Sequence, residues 1–187
     1  MNNNHNRVLL ARPVVLIGMM GAGKSSVGAA LAHLYGAPFT DADTEIEAAA
    51  GCRIAQIFAD YGEGEFRRLE RQVIARLLQD EPRVLSLGGG AFINDETRAR
   101  VRQSALSVWL RVEPALLLER VLRHGHRPML QGGDPAEKLA RLLAEREPVY
   151  AQADITVMCD DRPVAQTARQ VYDAITQAAP DFQNRSA

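Results

Sequence analysis

Cysteine, aromatic side chains and net charge are all scarce in this chain of 187 residues. Its two cysteines, Cys52 and Cys159, lie far apart and form no CxxC spacing, which argues against a zinc site or a disulfide framework and favours a reducing cytoplasm. The 22 basic and 23 acidic residues leave a formal net charge of −1, so no broad field would attract nucleic acid or a membrane surface. Any anion must therefore bind at a local site.

Long apolar runs are missing as well. No stretch reaches the roughly 18 apolar residues of a membrane span, and the run at residues 8–11 is too short for the core of a signal peptide. The composition, 47% hydrophobic and 24% charged, is that of an ordinary globular protein. We expect a monomer with one domain over residues 13–178 and flexible ends at residues 1–12 and 179–187.

Between these ends, short apolar runs alternate with longer segments of helical period, a pattern typical of a parallel sheet covered by helices. Strands are predicted at residues 14–17, 38–40, 83–87, 106–112 and 154–157. Apolar residues three or four apart in the segments 66–78 and 164–175 predict helices with one face against the sheet. The expected fold class is α/β: a three-layer α/β/α sandwich around a five-stranded parallel sheet, with ligands at the carboxyl ends of the strands.

The strongest motif follows the first strand, where residues 18–25 match GxxxxGK[ST]. Glycines let successive backbone N–H groups point into one concavity, and the next helix adds the partial positive charge of its N-terminus. Lys24 can reach the outer phosphates of a nucleotide, and the Ser25 hydroxyl can ligate a bridging Mg²⁺. The sequence therefore predicts that this loop binds a nucleotide.

Two carboxylates follow the second predicted strand. Asp41 can hold a magnesium-bound water beside the phosphate loop, and Asp43 can orient an attacking hydroxyl or accept its proton. The alternative is that Asp43 only caps a helix over residues 44–50. Position alone leaves both interpretations open.

Two arginines are placed to bind an organic acid. Arg67 and Glu70 are three residues apart on a predicted helix, where an ion pair is ordinarily exposed to solvent. Arg146 continues an apolar helical stripe, so its guanidinium must extend to solvent or meet an anion. Because planar guanidinium groups suit carboxylates, the two arginines predict a clamp for a substrate acid. The alternative is that both form ordinary surface ion pairs.

Glycine is concentrated at two further places. Gly88, Gly89 and Gly90 end the third predicted strand, where they allow a ligand to approach the backbone closely. The segment 124–133 joins two helical patterns, and we expect a mobile lid over about residues 123–134. From that lid, Arg127 could neutralise charge that develops on the phosphates.

Together these segments resemble the shikimate kinases, a family of small P-loop kinases. The resemblance covers about residues 14–175. It is carried by residues 18–26, Asp-Ala-Asp at 41–43, Phe-Arg-Arg-Leu-Glu at 66–70, Gly-Gly-Gly at 88–90, Arg-Pro-Met-Leu at 127–130 and Glu-Arg-Glu-Pro-Val-Tyr at 145–150. Departures are modest: Ala42 stands where the family usually has a small hydroxyl residue, and Met129 where it has a leucine.

The resemblance implies a fold like that of the nucleoside monophosphate kinases, with a mobile lid. It implies transfer of the γ-phosphoryl group of ATP to the 3-hydroxyl of shikimate, a step toward the aromatic amino acids. ATP is then the co-substrate, Mg²⁺ the metal and shikimate the small-molecule partner.

The resemblance also implies roles for individual residues. The catalytic residues are Lys24, Asp43 and Arg127. The nucleotide contacts are Gly21, Ala22, Gly23, Lys24, Ser25, Ser26, Arg120, Arg127 and Arg162, the arginines at 120 and 162 lying at the adenine. The substrate contacts are Asp43, Arg67, Gly89, Gly90 and Arg146, and the metal contacts are Ser25 and Asp41.

Two other functions stay open. A related small kinase acting on gluconate would need the same carboxylate clamp and an aspartate on substrate hydroxyls. A nucleotide-binding regulatory module without kinase activity would need neither, so the carboxylates and arginines argue against it.

Overall fold

A computed structural model describes residues 10–123 and 134–183, with side chains described up to residue 178 in the last helix. Five strands form one parallel sheet in the order β2-β3-β1-β4-β5. They are β1 Val14–Ile17, β2 Phe39–Asp41, β3 Val84–Ser86, β4 Leu106–Val112 and β5 Ile155–Cys159. Each lies within two residues of its predicted bounds, and the parallel five-stranded sheet is confirmed.

Seven α-helices accompany the strands in the described part of the chain. They are α1 Lys24–Tyr35, α2 Ala42–Ala50, α3 Ile54–Leu77, α4 Asp95–Ser104, α5 Pro114–Arg123, α6 Pro135–Tyr150 and α7 Val164–Gln183, with a short 3₁₀ helix at Ala91–Ile93. Because crossovers between parallel strands are right-handed, α1 lies on one face of the sheet, and the helices that lead to β3, β4 and β5 lie on the other. α7 packs on α1, whereas α3 contacts α4 and α5 contacts α6, which gives three layers.

Burial follows these layers. Every residue of β1 and β3 is buried, and so is every residue of β4 except Arg111, as strands covered on both faces require. The apolar stripe of α3 contributes Val73 and Ile74 to the core, and that of α7 contributes Ala168 and Val171. The predicted helices over these two segments are therefore confirmed.

The structure differs from the sequence prediction at several boundaries. α2 begins at Ala42, and its cap is Asp41, whose side chain accepts a hydrogen bond of 3.0 Å from the backbone N–H of Asp43. The alternative in which Asp43 caps this helix is therefore wrong. Leu10, in the predicted N-terminal extension, packs against the core, and α7 continues to Gln183, within the predicted tail. The predicted lid with Arg127 lies outside the described residues.

The strand order locates a ligand site. From β1 the chain crosses to β2 on one side, and from β3 it crosses to β4 on the other, so β1 and β3 flank the point at which the direction of winding reverses. Ligands bind outside the carboxyl ends of the strands at such a point. Both glycine clusters, residues 18–23 and 88–90, lie at this point, just after the carboxyl ends of β1 and β3. No helix among the described residues is long and apolar enough to cross a membrane.

Candidate active site

The loop between β1 and α1 forms a cup at this point of the sheet. Gly18, Gly21 and Gly23 have φ values of 142°, 81° and 88°, in a region that side-chain-bearing residues rarely adopt. Gly23 occupies the N-cap position of α1 and has no side chain to bond the first N–H groups of the helix. Those groups, together with the helix dipole, make the cup suited to an anion.

Lys24 is folded back onto the cup. Its Nζ donates hydrogen bonds to the carbonyl oxygens of Gly18 at 2.9 Å and Met19 at 3.0 Å. Hydrogen bonds between an ammonium group and a charged acceptor are stronger than those to a neutral carbonyl. A phosphate in the cup would therefore draw the ammonium toward itself from its present position.

Ser25 and Asp41 bring a hydroxyl and a carboxylate together beside the cup. Ser25 Oγ donates to Oδ2 of Asp41 at 2.6 Å, which ties the first turn of α1 to the end of β2. Mg²⁺ takes hard oxygen ligands, usually one or two from protein carboxylates and others from substrate phosphates. The pair fits an ion that takes its other ligands from the phosphates and water, since no group of three or more His, Cys, Asp or Glu side chains that could hold a metal occurs among the described residues, here or elsewhere.

A cavity of about 530 Å³ extends from the cup toward α5 and the loop after β5. This volume is typical of a ligand site. It is lined by residues 20–27, Asp41, Asp43, residues 86–89, Arg120, Arg123, residues 159–164 and Thr167. All the predicted nucleotide contacts in the described residues therefore lie on one cavity, whereas Arg127 is outside the described part of the chain.

The far end of the cavity carries two arginines that the loop after β5 holds in place. Arg120 Nη2 donates to the backbone carbonyl of Asp160 at 2.6 Å. Arg162 binds the Asp160 carboxylate through Nε at 2.7 Å and Nη2 at 2.6 Å, and this holds the pKa of Asp160 well below its usual range. Because its charge is met by Asp160, Arg162 can offer the flat face of its guanidinium to a planar ring. Sequence reasoning did not identify Asp160.

Glycine at positions 88 and 90 makes room for two predicted substrate residues. A Cβ at Gly88 would lie 2.8 Å from Oδ1 of Asp43, and one at Gly90 would lie 2.8 Å from Nη2 of Arg67. A side chain at either position would therefore displace a carboxylate or a guanidinium. Gly88 had no individual role in the sequence prediction, although the run of three glycines was the signal for it.

Arg67 is held by two carboxylates of its own helix. Its Nη1 binds Glu70 at 2.8 Å, and its Nε and Nη2 each lie 3.3 Å from Oε1 of Glu63. Glu70 is only 3% exposed, so this is not the solvent-exposed pair that the spacing suggests. Burial raises the pKa of Glu70, although Arg67 opposes the shift. Glu63 is 68% exposed and follows Gly62, where φ of 79° interrupts α3.

Arg146 and Tyr150 reach the same glycine from α6. Arg146 Nη1 donates to the carbonyl oxygen of Gly89 at 3.3 Å, and the Tyr150 hydroxyl donates to the same oxygen. Arg146 is 9% exposed, so its side chain is buried together with the apolar residues of its helical face. The alternative in which Arg146 forms an ordinary surface ion pair is therefore wrong. Sequence reasoning missed Tyr150, but its spacing of four residues from Arg146 places both on one face of the helix.

Asp43 lies where the two sets of residues meet. It lines the cavity that begins at the phosphate loop, and the neighbouring glycine turn brings it close to Glu70: a Cβ at Gly88 would be 3.4 Å from Oε1 of that residue. The cleft thus holds a cup for phosphates, a carboxylate beside it and two guanidinium groups beyond. Such a set can align a hydroxyl of an organic acid with a nucleotide.

The chain matches the family model described as shikimate kinase over residues 20–177. Shikimate kinases of Caulobacter vibrioides and Rhodopseudomonas palustris are 49% and 51% identical to it, over 91% and 90% of this chain and 85% of each relative. A solved shikimate kinase from Acinetobacter baumannii in complex with shikimate has a TM-score of 0.86 at 35% identity, covering 91% of this chain and 95% of that one. A gluconokinase from Sinorhizobium meliloti has a TM-score of 0.63 at 21% identity, covering 96% and 99% of the two chains, and shares the fold alone.

Proposed function

The chain belongs to the shikimate kinase family, and we propose that the cleft residues divide the work of its reaction between them. The enzyme is a phosphotransferase with an alcohol acceptor. It transfers the γ-phosphoryl group of ATP to the 3-hydroxyl of shikimate, giving shikimate 3-phosphate and ADP. One observation carries the assignment of roles: the turn at residues 88–90 touches Asp43, Arg146 and Arg67 in sequence, directly beside the phosphate loop.

The phosphates of ATP occupy the cup. The backbone N–H groups of residues 21–26 surround the phosphate oxygens, and Lys24 turns from its two carbonyl partners to the β- and γ-phosphates. The backbone donors are already oriented before ATP binds, so little reorganisation of the loop accompanies the build-up of charge in the transition state. Arg120 and Arg162 lie along the adenine at the other end of the cavity.

Ser25 and Asp41 are the residues that would hold Mg²⁺. Their 2.6 Å hydrogen bond keeps the hydroxyl of α1 and the carboxylate of β2 together on one side of the cup. When bound there, the ion would neutralise charge on the β- and γ-phosphates.

The acid binds on the other side of Asp43. Arg67 and Arg146 bind the carboxylate of the acid, and the backbone of Gly89 and Gly90 lies against the acid. Asp43 accepts the hydrogen bond of the 3-hydroxyl and takes its proton as the new P–O bond forms. Because the transition state of phosphoryl transfer is loose, alignment and charge stabilisation contribute more than proton abstraction.

Two parts of the proposal remain: the role of the predicted lid around residues 123–134, and the oligomeric state and location of the enzyme. Arg127, from that lid, completes the charge stabilisation around the γ-phosphate. The enzyme acts as a cytoplasmic monomer without nucleic-acid or membrane partners. The net charge of −1 and the two free cysteines, Cys52 and Cys159, support this proposal.

A coupled assay of ADP release tests the acceptor. We expect turnover with shikimate and none with gluconate at the same concentration, with Lys24→Ala as the control for contaminating kinases. Turnover with gluconate alone would show that the acceptor is wrong. ATP binding without turnover of either acid would instead favour a regulatory module. Sedimentation of the same preparation tests the monomer.

A further inference from the structure

Gly89 is the point at which the nucleotide and acid sides of the cleft touch. A Cβ at this position would lie 3.5 Å from the carbonyl oxygen of Gly18 and 3.6 Å from the backbone nitrogen of Met20, both in the phosphate loop. It would also lie 3.5 Å from Nη1 of Arg146. The orientation of the peptide that follows Gly89 therefore affects the acid site. The Tyr150 hydroxyl binds the carbonyl oxygen of this peptide, yet the reaction described above gives Tyr150 no role.

Tyr150 is a buried donor aimed at that peptide. The residue is 1% exposed, and its ring packs near Trp109 with a centroid distance of 5.9 Å. Burial raises the pKa of Tyr150 from its ordinary 10.0, although Arg146 opposes the shift, so the phenol keeps its proton at neutral pH. Buried hydroxyl groups almost always hold a hydrogen-bond partner, and here the carbonyl oxygen of Gly89 is that partner. The hydroxyl also lies 3.8 Å from Sδ of Met19.

This hydrogen bond fixes the direction of an N–H group. In a trans peptide the C=O and N–H bonds point to opposite sides, so the N–H of Gly90 points away from the Tyr150 hydroxyl. Two consecutive glycines place few steric limits on rotation of the peptide between them. Arg146 also donates to the Gly89 carbonyl, at 3.3 Å. The Tyr150 hydroxyl and the Arg146 guanidinium therefore both hold this peptide through its carbonyl oxygen.

We propose that Tyr150 is a positioning residue for the acid substrate. Its hydroxyl holds the peptide between Gly89 and Gly90 so that the Gly90 N–H faces the substrate carboxylate. This inference rests on the proposed function, because it requires an acid bound between Arg67 and Arg146.

Tyr150→Phe tests the inference because it keeps the ring and removes only the hydroxyl. We expect the KM for shikimate to rise about 3- to 10-fold, as the loss of one hydrogen bond implies, while kcat and the KM for ATP change less than about twofold. The matched control is Tyr35→Phe. Tyr35 is 2% exposed, packs on Tyr172 at the C-terminal end of α1, and lies at the opposite end of that helix from the phosphate loop. Tyr35→Phe should leave kcat and the KM values for shikimate and ATP unchanged.

A second substrate separates positioning from a structural role. With the methyl ester of shikimate, which lacks the carboxylate charge but keeps a carbonyl acceptor, the loss of kcat/KM in Tyr150→Phe should be smaller than with the acid. Equal losses with acid and ester, equal kinetics of Tyr150→Phe and Tyr35→Phe, or a loss confined to ATP would each overturn the proposal. Absence of shikimate turnover in the wild type would instead overturn the proposed function.

If Tyr150→Phe does not fold, the wild type still tests the direction of the Gly90 N–H group that the proposal requires. Hydrogen exchange at the Gly90 amide should slow when shikimate is added and should slow less with the methyl ester, whose neutral carbonyl is a weaker acceptor. An unchanged Gly90 exchange rate with shikimate would overturn the proposed direction of this N–H group.

Discussion

The phosphate cup of the cleft is one continuous stretch of backbone, residues 18–26, whereas the acid site is assembled from side chains on three separate helices. The cup depends on positive φ values at its glycines and on the N-terminus of α1. The acid site brings Asp43, Arg67 and Arg146 from α2, α3 and α6 around one turn. A backbone site depends on local geometry, while a site made of separate side chains depends on the packing of every helix that carries them.

The cationic side chains of the two sides also differ in their hydrogen-bond partners. Lys24 lies against neutral carbonyl groups, whereas Arg67 is already bound to two carboxylates. Substitutions on the nucleotide side should therefore remove transition-state stabilisation directly. A substitution at Arg67, which pairs with the buried Glu70, should alter substrate affinity and fold stability together.

The largest effect is expected at Lys24. Lys24→Ala should lower kcat by about 10³-fold, because a charge that stabilises the transferring phosphoryl group is lost. The thermal unfolding midpoint should stay near that of the wild type, since its two bonds to the loop are at a partly buried position. Steady-state kinetics with both substrates saturating measure the first quantity. A kcat within tenfold of wild type would remove Lys24 from the chemistry.

Asp43→Asn comes next and tests the residue between the two sides. The substitution keeps the size of the side chain and removes the proton acceptor, so kcat should fall by about 10²-fold. A 10²-fold loss is near the lower end of the rate contribution expected of a general base, because little proton transfer has occurred in a loose transition state. The dissociation constant of ATP, measured by titration, should change little. Comparable kcat in the variant would argue that Asp43 only orients substrate.

Arg146→Ala and Arg67→Ala should separate affinity from stability. Each removes a charge-assisted contact of about 1.5–3 kcal/mol, so the KM for shikimate should rise about 10- to 150-fold. Only Arg67→Ala leaves a buried carboxylate, Glu70, without its partner, and it should therefore also lower the free energy of unfolding. Denaturant unfolding of both variants checks this. Equal stability losses would show that the buried pair is not what distinguishes them.

The smallest effect is a dependence on pH. Because the pKa of Glu70 is raised in the folded state, the folded protein binds this proton more tightly than the unfolded chain does. Its contribution to stability is complete below the ordinary pKa of 4.5 and is lost as pH rises through the folded-state pKa. The slope cannot exceed about 1.4 kcal/mol for each pH unit.

Glu70→Gln should therefore flatten this part of the profile. The difference in unfolding free energy between wild type and Glu70→Gln should change in favour of the variant as pH rises above 4.5. Denaturant titrations at several pH values provide the measurement. Parallel profiles would mean that Glu70 has the same proton affinity in the folded and unfolded states.

Local features of the fold could be predicted from the sequence. The cup is encoded in adjacent residues, and Lys24 begins α1 where the motif places it. The apolar residues on its helical face placed Arg146 on the side of α6 that faces the core, and the structure decides between the two alternatives by burying the side chain. In both cases the chain within a few residues contains the whole signal, either as a motif or as a period.

Features that depend on distant contacts could not be predicted in the same way. The i, i+3 spacing of Arg67 and Glu70 is the same for exposed and buried pairs, and only the packing around α3 decides that Glu70 is 3% exposed. The link from Tyr150 to Gly89 spans 61 residues. Asp41 and Asp43 are two residues apart, so the choice of cap depended on where β2 ends, and such boundaries are the least certain part of a sequence pattern.

The contact between Glu63 and Arg67 has a consequence for ionic strength. Because Glu63 already covers the Nε edge of the guanidinium, an arriving carboxylate replaces one anion by another and does not neutralise a bare cation. Because Glu63 stays on the same helix after it is displaced, the local charge becomes one unit more negative, and mobile ions screen both the attraction of Arg67 for the acid and the repulsion by the displaced carboxylate. Binding of the acid at Arg67 should therefore be nearly insensitive to added salt, in contrast to binding of a polyanion in the open cup.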